Sequence, residues 1–214
     1  MPRYLSRYLK FLSISVLTLS CNSYLNLQKN QSGENCILKF KPDFNKVIYS
    51  TSADANEMHV SGLTLIKYMP DSSTRIVFTS EMGFPYFDFG FLTGNRFVIY
   101  QITPKMNKKY LIRTLRKDFE LILFRNLDSN TSYIQSDSFL TFHAYPQADG
   151  INYYITDSRC LHLLKMERAS KKKPVMEARF SENIYGITPD SIIIRHLNYN
   201  FTISLKKISS LAPQ

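Results

Sequence analysis

The chain is 214 residues long, 44% of them apolar and 14% aromatic, enough for one domain with a real core and an argument against several. Its aromatics are all Phe and Tyr, with no Trp, and Gly is scarce at 7 residues, a composition that leans towards strands. A formal charge of +10 attracts phosphates, whether those of nucleic acids or of anionic lipids, so the choice between them falls to the address the chain carries.

Residues 1–20 carry an address. A cationic start with Arg3, Arg7 and Lys10 precedes an apolar run from Phe11 to Leu19 and the small residue Ser20, the layout of a secretory signal. The run is too short to span about 30 Å of hydrocarbon, so the leader is expected to be removed rather than kept as an anchor. Leu17-Thr18-Leu19-Ser20-Cys21 resembles the lipobox of bacterial lipoproteins, with Thr18 standing where that pattern commonly has Leu. The resemblance implies cleavage before Cys21 and acylation of its sulfur and its amine. Several acyl chains, at about 0.8 kcal/mol per buried CH2, then hold the chain to a membrane. A plain signal peptide with an incidental cysteine is the alternative. Residues 21–34 are polar and rich in Asn, Gln and Ser, as suits a tether. Asn22, rather than Asp, follows Cys21, which points to the outer membrane of a Gram-negative bacterium. A secreted address demotes nucleic acid as a partner and lets disulfides persist. Cys36 and Cys160 read either as a disulfide or, at least as readily, as two separate buried thiols.

The folded part is expected over residues 35–208, with a frayed tail at 209–214. Residues 36–41 and 47–51 read as short strands split by Pro42-Asp43. Runs 60–68 and 75–80, joined by Pro70-Asp71-Ser72-Ser73, predict a hairpin. In the next run Phe87, Phe89 and Phe91 alternate with Tyr86, Asp88 and Gly90, so the three Phe share one face. Thr93-Gly94-Asn95 turns the chain into 95–101, where Phe97 and Ile99 alternate against Arg96, Val98 and Tyr100.

The period then changes. With Thr103 as N-cap and Pro104 at the first helical position, Leu111, Ile112, Leu115, Phe119 and Ile122 recur at helical spacing. Lys109, Arg113, Arg116, Lys117 and Glu120 gather opposite them. This predicts an amphipathic helix of about five turns that closes one face of a curved sheet, its cationic side free to approach a bilayer. After a loop at 127–130, runs 132–136, 139–144, 151–156, 160–167, 175–180, 192–196 and 200–206 predict a second meander. Residues 168–174, with Lys171, Lys172 and Lys173, read as a solvated hairpin tip. The expected fold class is mainly β (a β-rich α+β chain): a curved antiparallel sheet or incomplete β-barrel with one long amphipathic helix packed on it.

Catalytic motifs are missing from the sequence. His59, His143, His162 and His196 are scattered, with no cysteine or carboxylate at metal-ligand spacing. There is no Gly-x-Ser-x-Gly elbow, phosphate loop or dinucleotide fingerprint, so neither a cofactor nor a metal is expected and the chain reads as non-enzymatic. Glu81 and Asp88 are the nearest approach to a glycosidase pair, which needs about 5 to 9.5 Å between carboxylates across a cleft.

The order of lipidated cysteine, polar tether, meander, one amphipathic helix and second meander resembles the LolA/LolB type of lipoprotein carrier and receptor. Residues 60–90 are similar in detail: an apolar strand with Ser61-Gly62, then Lys67, the Asp71 turn, Arg75-Ile76-Val77-Phe78, and Gly83 before another apolar strand. The chain thus resembles a distant LolB-like outer-membrane lipoprotein. The resemblance implies an incomplete antiparallel barrel closed by helices, whose aromatic and aliphatic lining holds acyl chains. Phe87, Phe89, Phe91, Phe97 and Ile99 are then the lining candidates. The implied partners are a membrane, through the lipid anchor, and acyl chains or another lipoprotein. Two features depart from the family: the lack of Trp, and one long helix where a fuller lid uses more. The competing expectation is a filled core under the helix, serving as a subunit of an envelope complex with a protein partner.

Overall fold

A computed structural model describes residues 28–30, 36–56, 58–170, 173–181 and 187–208. The leader, Cys21 and most of the tether lie outside them, as do Lys171, Lys172 and the tail. The first half contains strands β1 (Gln28–Asn30), β2 (Lys46–Ala55), β3 (Met58–Tyr68), β4 (Thr74–Thr79), β5 (Pro85–Phe91) and β6 (Phe97–Ile102). Helix α1 (Lys109–Ile122) follows, and then β7 (Tyr133–Ser136), β8 (Leu140–Gln147), β9 (Gly150–Asp157) and β10 (Leu163–Ala169). The chain closes with β11 (Pro174–Phe180), β12 (Ser191–His196) and β13 (Phe201–Lys207).

All 13 strands join one sheet in the order β1-β7-β8-β9-β10-β11-β12-β13-β2-β3-β4-β5-β6, and every pairing is antiparallel. The two meanders are therefore zipped together where β13 meets β2, and the sheet ends at β1 and β6 without closing. It is a curved, incomplete barrel with one helix. Strand alternation determines what fills it. Val47, Tyr49 and Thr51 of β2, Ile76 and Phe78 of β4, Ile192 and Ile194 of β12, and Ile203 and Leu205 of β13 are buried, while their sequence neighbours are not.

Helix α1 lies against that inner face. Leu115, Phe119, Leu121 and Ile122 are buried in the main core, and Phe119 meets Phe87 and Phe91 at ring distances of 6.1 and 6.3 Å. The Tyr154 hydroxyl donates to the Leu121 carbonyl (3.0 Å), which also accepts the Phe124 N–H (3.1 Å), so the helix C-terminus is tied to β9. Among the described residues no helix is long and apolar enough to cross a membrane.

Four sequence expectations are corrected. Residues 36–40 form a 3-10 helix, not a strand: Ile37 and Phe40 are three apart, fall on one side of a three-residue turn and are buried there. Helix α1 starts at Lys109 rather than after Thr103, and its 14 residues make about four turns. The Thr103 N–H donates to the Tyr86 carbonyl (2.9 Å), which keeps residue 103 on the sheet, and its hydroxyl caps nothing. Lys108 takes the N-cap position without a side-chain bond. Cys160 sits in the turn before β10, because Asp157 captures the Leu161 and His162 N–H groups and delays the strand to Leu163. Gln28–Asn30, inside the stretch read as tether, pair with β7.

Candidate functional site

Helix α1 divides the concave side of the sheet into two clefts of opposite chemistry. The first lies against β2, β3, β4, β5 and β13. It has a volume of about 90 Å3, and its walls include Ala53, Ala55, Val60, Phe78, Phe87, Leu111, Leu115, Phe119, Phe201 and Ile203. Thr51 and Thr64 are its two polar residues, and they satisfy each other: Thr51 Oγ1 donates to Thr64 Oγ1 at 2.8 Å. No hydroxyl is left seeking a partner inside, so the cleft selects against polar guests. Met58 and Met106 stand in its wall, Met58 largely exposed, and both have unbranched side chains that adapt to shape.

The cleft opens at the end of the sheet where the β2–β3 tip lies. The β4–β5 turn is at the same end, since Ser61 of β3 donates to Glu81 (3.2 Å), and it carries exposed Met82 and Phe84. The approach to helix α1 adds Lys105, Lys108 and Lys109, all exposed, with no acidic residue in the first helical turn. A greasy slot is thus rimmed by exposed apolar side chains and lysines.

The five lining candidates separate in space. Phe87 is in the cleft wall. Phe89 and Phe91 are buried beside it as solid core: Phe89 stacks on Phe87 at 4.3 Å and meets Phe97 edge-on at 5.1 Å. Phe97 is half-buried, packed on Phe91 (5.3 Å) with the Arg116 guanidinium above it. Ile99 is 38% exposed and lies away from the cleft. Sequence reasoning did not single out Ala53, Ala55, Val60, Phe201 and Ile203. Their alternation was legible, but not that β13 pairs with β2 and brings the end of the chain to its beginning.

The second cleft lies between the other flank of α1 and the inner faces of β8, β9 and β10, with a volume of about 430 Å3. Four cations line it, Arg113, Arg116, Lys117 and Arg168, against the carboxylates Glu120 and Asp149. Lys117 bonds Asp149, which holds that carboxyl below its ordinary range, helped by the charges of Arg113 and Arg168. Below the cleft floor, the fully buried Asp118 accepts from Arg168 Nη1 (2.8 Å) and pairs with His196 Nε2 (2.8 Å).

The remaining candidates are held apart. Cys36 and Cys160 form a disulfide with an S–S distance of 2.06 Å, and His143 Nε2 lies 3.7 Å from Cys36 Sγ. These three are the one His/Cys/Asp/Glu group of metal-binding size among the described residues, and with both sulfurs oxidised it offers no thiolate. Asp88 is engaged by Arg75 through two bonds (2.8 and 2.7 Å), and Glu81 by Ser61. His59, His162 and His196 each face an aspartate, Asp54, Asp157 and Asp118.

No protein-family model matches the sequence, and no curated protein matches it. Among solved structures, the fold is similar to a LolA-superfamily protein from Nitrosomonas europaea, with 9% identity and a TM-score of 0.48 over 81% of this chain and 89% of that one. A domain from Vibrio parahaemolyticus described as outer membrane lipoprotein-sorting is similar at 6% identity and a TM-score of 0.45, over 83% and 91% of the two chains. A DUF1329-family protein from Desulfovibrio piger follows at 10% identity and 0.39, over 79% and 88%.

Proposed function

We propose that the chain is a lipoprotein of the bacterial envelope, anchored through Cys21, that binds an acyl chain in the apolar cleft beside helix α1 and assists its transfer or insertion at the outer membrane. The lining of that cleft carries the reading: hydrocarbon throughout except for two threonines bonded to each other. An acyl tail loses nothing by entering such a wall, whereas any hydroxyl or charge loses its water without a replacement. Exposed Met82 and Phe84, with the nearby lysines, suit the mouth to the surface of an anionic membrane. At about 90 Å3 the cleft takes the end of a tail, and a longer stretch requires Met58 and Met106 to swing aside or helix α1 to lift. The same small volume favours a second reading, in which the sheet is filled and the body serves as an envelope interaction subunit.

Native mass spectrometry of the protein from Ser23 onward, purified without detergent, separates the two. The first reading expects a co-purifying or added fatty-acid-sized mass that is lost in Ala53→Trp, which fills the cleft, and kept in Ile99→Ala, outside it. A clean apo mass with no uptake of added fatty acid would overturn acyl binding and direct the search to a protein partner.

A further inference from the structure

The polar cleft is not needed for acyl binding, and its walls are incomplete in a specific way. Asn152 is only 5% exposed, lies in the cleft wall, and has no side-chain hydrogen-bond partner among the described residues. Asn126 Oδ1, in the same wall, is buried and unpartnered. Gln147 completes a set of amides, its Nε2 spent on the carbonyls of Asn126 (3.2 Å) and Tyr145 (3.0 Å). A buried amide oxygen left open like that of Asn126 is rare, and Asn152 turns an unspent amide to the cleft. Three of the four cations already have carboxylates, Arg116 with Glu120 at 2.8 Å, Lys117 with Asp149, and Arg168 with Asp118. Arg113 is exposed and makes no hydrogen bond among the described residues; its charge acts on Asp149 at longer range, and its N–H groups are left for a ligand.

We infer that this cleft is a second ligand site, taking a hydroxylated anion of the class of a phosphorylated sugar. Arg113 supplies the anion contact, and because Arg116, Lys117 and Arg168 are held by Glu120, Asp149 and Asp118, its guanidinium is the cation of the wall left for a ligand. The amide of Asn152 meets a hydroxyl, since an amide offers both donors and an acceptor and a hydroxyl is both as well. The lining has no aromatic residue, so it offers no stacking platform for a nucleobase, and with Ala148 and Ile151 as its apolar members it offers no slot for a tail. Its volume of about 430 Å3 is that of a small-molecule site. Gly150 forms the corner of this wall: at φ +129 with its Cα hydrogen facing Ala169, any Cβ would stand 2.3 Å from the Ala169 carbonyl oxygen, so only glycine lets β9 and β10 close behind the cleft. The phosphorylated sugar is either free or the headgroup of an envelope glycolipid.

Isothermal titration calorimetry with glucose 6-phosphate, glucose and inorganic phosphate tests the site. Saturable binding of glucose 6-phosphate, at least about tenfold tighter than either fragment, is expected. Arg113→Glu, at an exposed residue that bonds nothing, and Asn152→Leu, which keeps the volume, should each weaken it by about tenfold or more. Flotation with phosphatidylcholine vesicles carrying monophosphoryl lipid A distinguishes the sources: Arg113-dependent binding to these vesicles assigns a glycolipid headgroup, and binding of the soluble sugar alone assigns a free one. Inorganic phosphate binding as tightly as the sugar phosphate would reduce the cleft to a cationic patch. Absence of binding in both formats, or equal binding by both variants, would overturn the site.

Discussion

At the scale of single residues, His143 illustrates how burial becomes a pH dependence. It is buried on β8, with Thr156 Oγ1 at 3.2 Å and the Cys36 sulfur at 3.7 Å from Nε2, and burial pushes its pKa from 6.5 down to about 4. The unfolded chain takes up a proton between about pH 6.5 and 4 that the folded chain refuses. Stability is therefore full above about pH 6.5, falls as the pH drops through that window, and levels off below about 4. At 1.36 kcal/mol per pH unit the loss is at most about 3 kcal/mol. Urea midpoints measured across this range should fall more gently in His143→Gln than in the parent, and parallel slopes would show that another group is responsible. His143 was legible in the sequence as a residue without a function. That it faces a cysteine 107 positions away was not, because only the tertiary fold brings the 3-10 helix that carries Cys36 against β8.

Helix α1 shows the same division at the scale of an element. Its amphipathic period was plain in Leu111, Leu115, Phe119 and Ile122, but its start was not, since a strand bond from Thr103 overrode the Thr-Pro capping signal. Lys108 caps nothing, and a basic first turn opposes the helix dipole. Local sequence therefore contributes little to this helix, and packing holds it. Asp118 is the polar part of that hold, tying α1 to β10 through Arg168 and to β12 through His196. Asp118→Ala leaves the buried His196 and the half-buried Arg168 unpaired and should cost about 3 kcal/mol of unfolding free energy in urea titrations. A loss below about 1 kcal/mol would mean that water reaches the network and that the apolar stripe alone docks the helix. Sequence reasoning did not single out Asp118, because a buried carboxylate cannot be told from an exposed one until its partners are in place.

At the scale of the whole molecule, two features join the halves of the chain. One is the β13–β2 pairing, seven residue pairs from Phe201↔Ala55 to Lys207↔Tyr49. The other is the Cys36–Cys160 disulfide, which closes a loop with a sequence separation of 124 between the 3-10 helix ahead of β2 and the β9–β10 turn. On the loop-entropy account, a cross-link over a loop of this length stabilises the fold by as much as about 5 kcal/mol. The double variant Cys36→Ser with Cys160→Ser should unfold at distinctly lower urea, and the parent should match it once a dithiol reductant is added. If reduction leaves the midpoint in place, the sheet alone sets the stability.

The sequence by itself determined the β-rich class, the count and rough bounds of most strands, the single amphipathic helix, and the face shared by Phe87, Phe89 and Phe91. These follow from period-2 and period-3.6 alternation and from turn chemistry, which act over a few residues. It also supplied residues 1–20 and Cys21, from which a leader and an address are proposed. Only the tertiary structure decided that the helix parts an apolar cleft from a polar one, that Phe87 borders the first while Phe89 and Phe91 fill solid core, and that Asn152 and Arg113 face the second. A filled core and a lined cleft are written with the same residues. They differ in the space left between strands distant in the sequence, and that space exists only once the chain has closed upon itself.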